Sequence, residues 1–246
     1  MEENMDLLFE IYTGLPRGGP GSKESTRKAF NMLQDLPSKP NILDVGCGPG
    51  MQTIELAKLS GGTITGLDIH QPFLDGINQM AKEIGISERI KTVNQSMLNM
   101  DFERESFDIL WAEGSIYIMT FEKALKDWAK FLKKGGYIAV SELVWPPEDP
   151  PEEMIPFLNE YPTIQTHKEN LRVIKKIGYK FIDSFVLSVK DWSIYYNPLE
   201  ERLKVLRVKY KNDENALQFI ELSQHEIDLF RKYSKYFRYV FYLMQK

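Results

Sequence analysis

The chain has 246 residues, of which 43% are hydrophobic and 27% charged, enough apolar content for the core of one α/β domain. Its net charge of −4 argues against a nucleic-acid partner, which needs a basic face. The single cysteine, Cys47, excludes an internal disulfide framework and is typical of the reducing cytoplasm, where we expect the protein to act. No apolar run has the length of a membrane span or a signal peptide, so no membrane partner is expected.

The N-terminal part predicts two short helices joined by a glycine-rich loop. Apolar residues over 5–15 favour a helix with one buried face, and residues 17–22 are rich in glycine. Ser22 or Ser25 is expected to cap the second helix, which runs to about Leu36.

A strand, a tight turn and a helix start follow in direct succession. Apolar residues over 41–46 predict a buried strand, and a helical pattern begins at Ile54. Between them stand glycines at alternate positions, Gly46, Gly48 and Gly50. Such glycines let a ligand touch the main chain, and the helix beyond offers free N–H groups. The pattern is not a dinucleotide fingerprint, because its sixth position is Met51 and Asp44 would repel a pyrophosphate but suits an ammonium group.

The run from Asp44 to Gly50 matches acidic-x-G-x-G-x-G at every defined position, and here the chain resembles the class I S-adenosylmethionine-dependent methyltransferases. A second feature agrees with this resemblance. The predicted strand 63–69 contains Asp68, 22 positions after Gly46, and a carboxylate at such a spacing accepts two hydrogen bonds from ribose hydroxyls. One feature departs from the family, since Ser96 stands where its members usually carry an acid that binds the adenine amino group.

Strand and helix signals continue through the middle of the chain. Further strands are predicted at 90–94, 107–114 and 137–144. A helix is expected over 121–132, with Lys133-Lys134-Gly135-Gly136 as its basic last turn and glycine stop. Residues 145–151 are too rich in proline for regular structure.

The last third predicts a helix at about 166–177, a strand at about 180–189, two charged helices at 198–211 and 213–236, and a final strand at 239–244. By resemblance, that final strand lies beside the fifth and sixth. The expected fold is therefore α/β, a Rossmann-like class I methyltransferase fold. It has a seven-stranded, mostly parallel sheet flanked by helices and a helical cap inserted before the last strand. The predicted domain is single, 1–246, with an N-terminal helical lid at 1–36, a cofactor-binding core at 37–145, and substrate-side and cap elements with the last strands at 146–246.

The resemblance implies S-adenosyl-L-methionine as the cofactor and assigns its site. It places the methionine part on Asp44 and the glycine turn, the ribose at Asp68 and the adenine at Ser96 and Met97. Glu113 would face the methionine end or the acceptor, and the loop at Arg17 would close over the site. The full set of cofactor-binding candidates is Asp44, Gly46, Cys47, Gly48, Gly50, Asp68, Ile69, Ser96, Met97, Glu113 and Arg17.

A sulfonium methyl group is already electrophilic, so the protein needs to align the acceptor, exclude water and supply at most a base. Glu142 and Tyr117 are the catalytic candidates, and Glu113 and His70 are also considered as a base. The histidines are scattered and no Cys/His cluster has metal-ligand spacing, so no metal is expected.

The predicted function is transfer of a methyl group from S-adenosylmethionine to a small-molecule acceptor at O, N or C. Alternatives are a non-catalytic S-adenosylmethionine-binding module, a protein or RNA methyltransferase, and an NAD(P)-dependent oxidoreductase. A homodimer is left open, and the sequence does not name the acceptor.

Overall fold

The computed structural model describes residues 2–246, with side chains from Asp6 onward; Met1, where the predicted lid begins, lies outside them. The strands are β1 (Asn41–Val45), β2 (Thr63–Asp68), β3 (Ile90–Asn94), β4 (Phe107–Glu113), β5 (Leu132–Leu143), β6 (Lys180–Val186) and β7 (Tyr239–Gln245). The helices are α1 (Glu2–Tyr12), α2 (Lys23–Asn31), α3 (Met51–Ser60), α4 (Gln71–Glu83), α5 (Phe121–Trp128), α6 (Ile155–Asn159), α7 (His167–Ile177), α8 (Val189–Lys209) and α9 (Glu214–Tyr233).

The strands form one sheet in the order β3-β2-β1-β4-β5-β7-β6. Strands β1 to β5 run parallel, and β7 is antiparallel to both β5 and β6. The cap helices α8 and α9 lie between β6 and β7 in the chain. The class I methyltransferase fold expected from the sequence, including the placement of the last strand, is confirmed.

Alternate residues along the strands supply two hydrophobic cores, one on each face of the sheet. In β4, Ile109 and Trp111 pack into the core shared with α2, α3 and the cap helices. Leu110 and Ala112 pack on the other face, with α5 and α7. Both faces are covered, as a largely parallel sheet requires. Within residues 2–246, no helix combines the length and the apolar character needed to cross a bilayer.

Side-chain caps fix where the helices begin. Ser22 caps α2 and forms a capping box with Ser25, so both serines named from the sequence act at this helix start. Ser188 caps α8 in the same way with Asp191, and Asp191 also accepts a hydrogen bond from the Ser22 hydroxyl. The N-terminal segment and the cap are therefore joined at their helix starts.

Several predicted boundaries are wrong. Helix α5 ends at Trp128, and Lys133-Lys134-Gly135-Gly136 belongs to β5, because Leu132 already pairs with Phe107 in the sheet. The first cap helix begins at Val189 instead of residue 198, with Pro198 inside it. The second N-terminal helix ends at Asn31, five residues before the predicted end.

The order of the strands places the ligand site. Strand β1 lies between β2 and β4, so the chain connections leave β1 and β4 in opposite directions and open a crevice beyond their carboxyl ends. The glycine turn follows β1, Asp68 ends β2 and Glu113 ends β4. Side chains that are distant in the sequence therefore meet at one edge of the sheet.

Candidate active site

A cavity of about 640 Å³ lies beyond the carboxyl ends of β1, β2 and β4, within the size range of small-molecule sites. One end is formed by the glycine turn, Asp68 and the loop after β3. The other end is formed by α1, α6 and the cap helices α8 and α9. The cavity therefore connects the predicted cofactor end to an aromatic end under the cap.

The glycine turn is held by hydrogen bonds from its own main chain. The N–H groups of Gly46 and Cys47 donate to the carbonyl of Leu67, at 2.8 and 3.0 Å. The N–H of Gly48 donates to Asp68 Oδ2 at 2.9 Å, and Gln52 Nε2 donates to the Cys47 carbonyl at 2.8 Å. The turn is a rigid cradle, which limits the reorganisation needed to bind a ligand.

Gly46 and Gly48 serve different purposes in this cradle. Both have positive φ, +68° and +53°, a region that costs other residues about 1–2 kcal/mol. A Cβ on Gly46 would lie 2.6 Å from Ser115 Cβ, so Gly46 allows close packing of the protein. A Cβ on Gly48 would meet no protein atom within 4 Å and Gly48 lines the cavity, so Gly48 leaves room for a ligand.

Asp68 lines the cavity and also supports the turn. Its Oδ2 accepts from the Gly48 N–H, and its Oδ1 accepts from the N–H of His70 at 3.0 Å. The Asp68 side chain is part of the cavity wall, where the sequence predicted an acid for ribose hydroxyls. Its removal would disturb the glycine turn as well as any ribose contact.

Asp44 lies behind the cradle. Its carboxylate is fully buried, Oδ2 accepts from Thr53 Oγ1 at 2.6 Å, and Oδ1 has no hydrogen-bond partner among the described residues. Burial raises the pKa of Asp44 to about 7. A positive group close to the turn would be attracted to this carboxylate, but Asp44 itself is not part of the cavity wall.

A buried ion pair joins the N-terminal loop to β4. The Arg17 guanidinium donates to Glu113 Oε2, and both side chains are almost fully buried, with exposed fractions of 3% and 1%. Glu113 Oε1 accepts from the Thr26 hydroxyl at 2.7 Å and from Trp111 Nε1 at 2.9 Å. The adjacent loop residues Gly18, Gly19 and Pro20 line the cavity, which is where the sequence expected the loop to close.

Three further cofactor candidates, Ile69, Ser96 and Met97, also line the cavity, and Ile69 is half exposed there. Ser96 and Met97 are the two predicted for the adenine. The Ser96 hydroxyl accepts a hydrogen bond from the N–H of Leu98 and so caps a single 3₁₀ turn.

Helix α1 reaches both ends of the cavity, with Tyr12 at the aromatic end and Phe9 at the cofactor end. The rings of Phe9 and His70 stack with centroids 4.1 Å apart, and the Thr13 hydroxyl lies 3.1 Å from His70 Nε2. Burial lowers the pKa of His70. His70 therefore anchors the N-terminal helix over the site.

The two catalytic candidates lie in different surroundings. The Tyr117 side chain lines the cavity with its ring edge-on to Tyr161, and burial of the hydroxyl raises its pKa. Glu142 is 4% exposed, lies outside the cavity wall, and has no hydrogen-bond partner on either carboxylate oxygen among the described residues. Burial raises the pKa of Glu142 to about 8, so the carboxyl holds a proton at neutral pH.

The aromatic end contains residues that the sequence interpretation missed. The hydroxyls of Tyr12 and Tyr195 form a hydrogen bond of 2.8 Å, and Glu226 accepts a hydrogen bond from the Tyr196 hydroxyl at 2.6 Å. Tyr195 and Tyr196 were missed because the first cap helix was predicted to begin at residue 198. The capping-box spacing from Ser188 to Asp191 was the signal that places Tyr195 and Tyr196 on a helix.

A comparison with family models tests the resemblance to methyltransferases. A model described as a methyltransferase domain matches residues 42–136, which contain the glycine turn, Asp68 and β4. Over these residues the chain is similar to the methyltransferase-domain family. The resemblance predicted from Asp44–Gly50 and Asp68 is confirmed over this part of the chain.

Two curated methyltransferases are similar to parts of the chain. A sterol 24-C-methyltransferase of Candida albicans is 27% identical over 201 residues, covering 76% of this chain and 53% of the other protein. A methyltransferase of Streptomyces halstedii is 26% identical over 120 residues, covering 48% of this chain and 43% of its own length. The chain spans about half the length of these curated relatives.

A solved methyltransferase shares the fold over nearly the whole chain. The S-adenosylmethionine-dependent methyltransferase of Geobacter sulfurreducens, crystallised with S-adenosyl-L-homocysteine, superimposes with a TM-score of 0.83. It covers 98% of both chains at 19% sequence identity. The likeness includes the two cap helices and the last strand, which the family model does not reach.

Proposed function

We propose that the chain transfers a methyl group from S-adenosyl-L-methionine to a small, largely apolar acceptor. The observation that carries this proposal is the single cavity that joins the glycine cradle and Asp68 to an aromatic end under the cap. A methyl transfer needs both ligands in one enclosed space, with the acceptor aligned and water excluded. The names of the relatives, a sterol 24-C-methyltransferase among them, support an apolar acceptor.

The residues at the cradle fit this cofactor. Gly48 leaves space that a Cβ would fill, and Asp44 has a buried oxygen without a partner, which suits an ammonium group nearby. S-adenosylmethionine supplies the electrophilic methyl group when bound. The chain supplies main-chain N–H groups at the turn and the Asp68 carboxylate for the ribose hydroxyls. The complete set proposed for the cofactor is Asp44, Gly46, Cys47, Gly48, Gly50, Asp68, Ile69, Ser96, Met97, Glu113 and Arg17.

The roles of these residues differ in how directly they act. Gly48, Asp68 and Met97 line the cavity and are proposed as contacts, whereas Asp44 is proposed to act by its charge from behind the turn. Arg17 and Glu113 are proposed to fix the loop that closes the site. Cys47 is a buried residue that packs against β2, and burial raises the pKa of its thiol well above the ordinary value, so a nucleophilic role is disfavoured.

The catalytic assignments stay predictions. Tyr117 lines the cavity and is proposed to contact the acceptor, while its raised pKa argues against its use as a base at neutral pH. The Glu142 carboxyl is not part of the cavity wall, so the geometry adds no support for Glu142 as a base. The homodimer and the cytoplasmic location also stay predictions.

Methyl transfer is tested by release of S-adenosylhomocysteine from S-adenosylmethionine in the presence of neutral alcohols, amines, alkenes and phenols. We expect product with an apolar acceptor and at least a tenfold lower rate for Tyr117→Ala with that acceptor, since about 1.4 kcal/mol of contact energy corresponds to tenfold. Lys190→Ala, on the exposed side of α8, is the control and should retain the wild-type rate.

A blank acceptor screen with tight cofactor binding would favour the binding-module alternative. A protein or RNA substrate would appear as methylation of macromolecules while small acceptors fail. The family match already argues against the NAD(P)-dependent oxidoreductase.

A further inference from the structure

One carboxylate stands among the aromatic rings at the cap end of the cavity. Glu226, on α9, lines the cavity beside Tyr161, Trp192 and Tyr195. Glu160 is a second acid in the wall, but its side chain is exposed. Glu226 is therefore the acid positioned to meet a ligand inside the aromatic end.

The hydrogen bonds of Glu226 leave part of its carboxylate without a partner. Oε1 accepts from the Tyr196 hydroxyl at 2.6 Å, and within the described residues no other group donates to this carboxylate. The hydroxyls of Tyr12 and Tyr195 are hydrogen-bonded to each other at 2.8 Å and not to Glu226. An ionised carboxylate only accepts hydrogen bonds, so the remaining oxygen of Glu226 is free to accept one from a ligand in the cavity.

The charge of the wall narrows the ligand class. Among the described residues that line the cavity there is no lysine or arginine, and His225 is the basic side chain at the aromatic end. The acids in the wall are Asp68, Glu160, Glu226 and Glu113, and Glu113 is already paired with Arg17. A phosphorylated or carboxylated acceptor at the aromatic end would lie against Glu160 and Glu226, a costly arrangement in a poorly solvated site. Aromatic rings, by contrast, favour apolar bodies and cationic groups.

The surroundings of Glu226 agree with such a role. Burial raises its pKa to about 7, the Tyr196 hydrogen bond lowers it, and the Glu160 charge raises it. A cationic or hydroxylic donor would stabilise the charged form that burial disfavours. A ligand that donates to Glu226 would therefore reduce the free-energy cost of burying this carboxylate.

We infer that Glu226 accepts a hydrogen bond from a hydroxyl or amine of an otherwise apolar acceptor, so that the cap selects neutral or cationic acceptors and rejects phosphorylated ones. This inference rests on the proposed methyl transfer and names the acceptor class and the residue that selects it. Glu226 thus binds the methyl acceptor directly, by accepting a hydrogen bond from its hydroxyl or amine.

The test uses four probes with one carbon skeleton: geraniol, geranylamine, geranial and geranyl diphosphate. Each is titrated calorimetrically into the wild-type chain saturated with S-adenosylhomocysteine. We expect geraniol or geranylamine to bind at least about tenfold more tightly than geranial, which accepts but does not donate. Geranyl diphosphate is expected to bind the most weakly. The alcohol and the amine distinguish a neutral from a cationic acceptor.

The variant that isolates the contact is Glu226→Leu combined with Tyr196→Phe. Removing both partners together avoids leaving a buried hydroxyl unpaired, so the double variant is expected to fold. Its preference for the donor-bearing probe over geranial should fall to about onefold to twofold. Glu221→Gln, which changes an exposed acid of α9 outside the cavity wall, is the matched control and should keep the wild-type preference.

The outcomes separate this inference from the function it rests on. Failure of S-adenosylhomocysteine to bind the wild type overturns the proposed function, and the inference with it. If S-adenosylhomocysteine binds normally, four results would overturn the inference alone. These are that no probe binds, that geranial binds as well as geraniol and geranylamine, that the diphosphate binds best, or that the double variant keeps the preference.

Discussion

Replacing Glu113 with alanine is expected to lower the free energy of unfolding by about 3–5 kcal/mol. The substitution leaves the Arg17 guanidinium buried without its counter-charge. It also removes the acceptor for the Thr26 hydroxyl and for Trp111 Nε1. Breaking one side of a buried pair costs more than the pair contributes as a whole, because the remaining charge is left desolvated.

Urea unfolding of the wild type and of Glu113→Ala measures this loss. Asp127→Ala is the control, because its i,i+4 pair with Lys123 is exposed on both sides and such pairs contribute about 0.5 kcal/mol or less. The double variant Arg17→Met with Glu113→Leu should lose less than Glu113→Ala, since no charge remains unpaired. A loss below about 1 kcal/mol in Glu113→Ala would contradict the burial of the Arg17 charge.

Glu142→Gln is expected to make the chain more stable at alkaline pH and to leave its stability at pH 4 nearly unchanged. In the folded chain the Glu142 pKa is about 8, against an ordinary value of 4.5. Folded Glu142 therefore keeps a proton that the unfolded chain releases, and the wild type loses stability as pH rises from about 4.5 to about 8. Above that pH range, the stability that the wild type has lost through Glu142 reaches about 4–5 kcal/mol.

Unfolding in urea at pH 4, 7 and 9 measures this effect. Asp44 and Glu226, whose pKa values are also raised to about 7, give both proteins a similar fall with pH, so the difference between the two curves isolates Glu142. Parallel curves would show that the Glu142 carboxylate is ionised or solvated in the folded chain. Methyl transfer by the same variant also bears on the predicted base, since an unchanged pH–rate profile would leave Glu142 without a catalytic role.

The cofactor end of the site was predictable because its signals are local in the sequence. The turn from Asp44 to Gly50 follows directly from β1, and Asp68 ends the next strand, so short-range patterns place both at one sheet edge. The orphaned oxygen of Asp44 and the second role of Asp68 in holding Gly48 were not predictable, because they depend on exact side-chain positions.

The cap end was not predictable, because its contacts join distant parts of the chain. Tyr12 meets Tyr195 across 183 positions, and Tyr196 meets Glu226 across 30. Pro198 inside α8 misled the placement of the helix start, since proline is more common in the first turn than in a helix interior. The start of β5 at Leu132 was missed for a related reason, because pairing with Phe107 overrides a local pattern typical of a helix end.

The central claim, that the glycine cradle binds the adenosyl cofactor, is tested most directly by calorimetric titration with S-adenosylhomocysteine of the wild type, Gly48→Ala and Gly85→Ala. Gly85 has a φ of +71° and open space around an added Cβ, so Gly85→Ala carries the same kind of backbone strain away from the cavity. The account predicts wild-type binding that Gly85→Ala retains and that Gly48→Ala weakens by about 5- to 150-fold, as overpacking of about 1–3 kcal/mol implies. No binding to the wild type, or equal binding by the two variants, would contradict it.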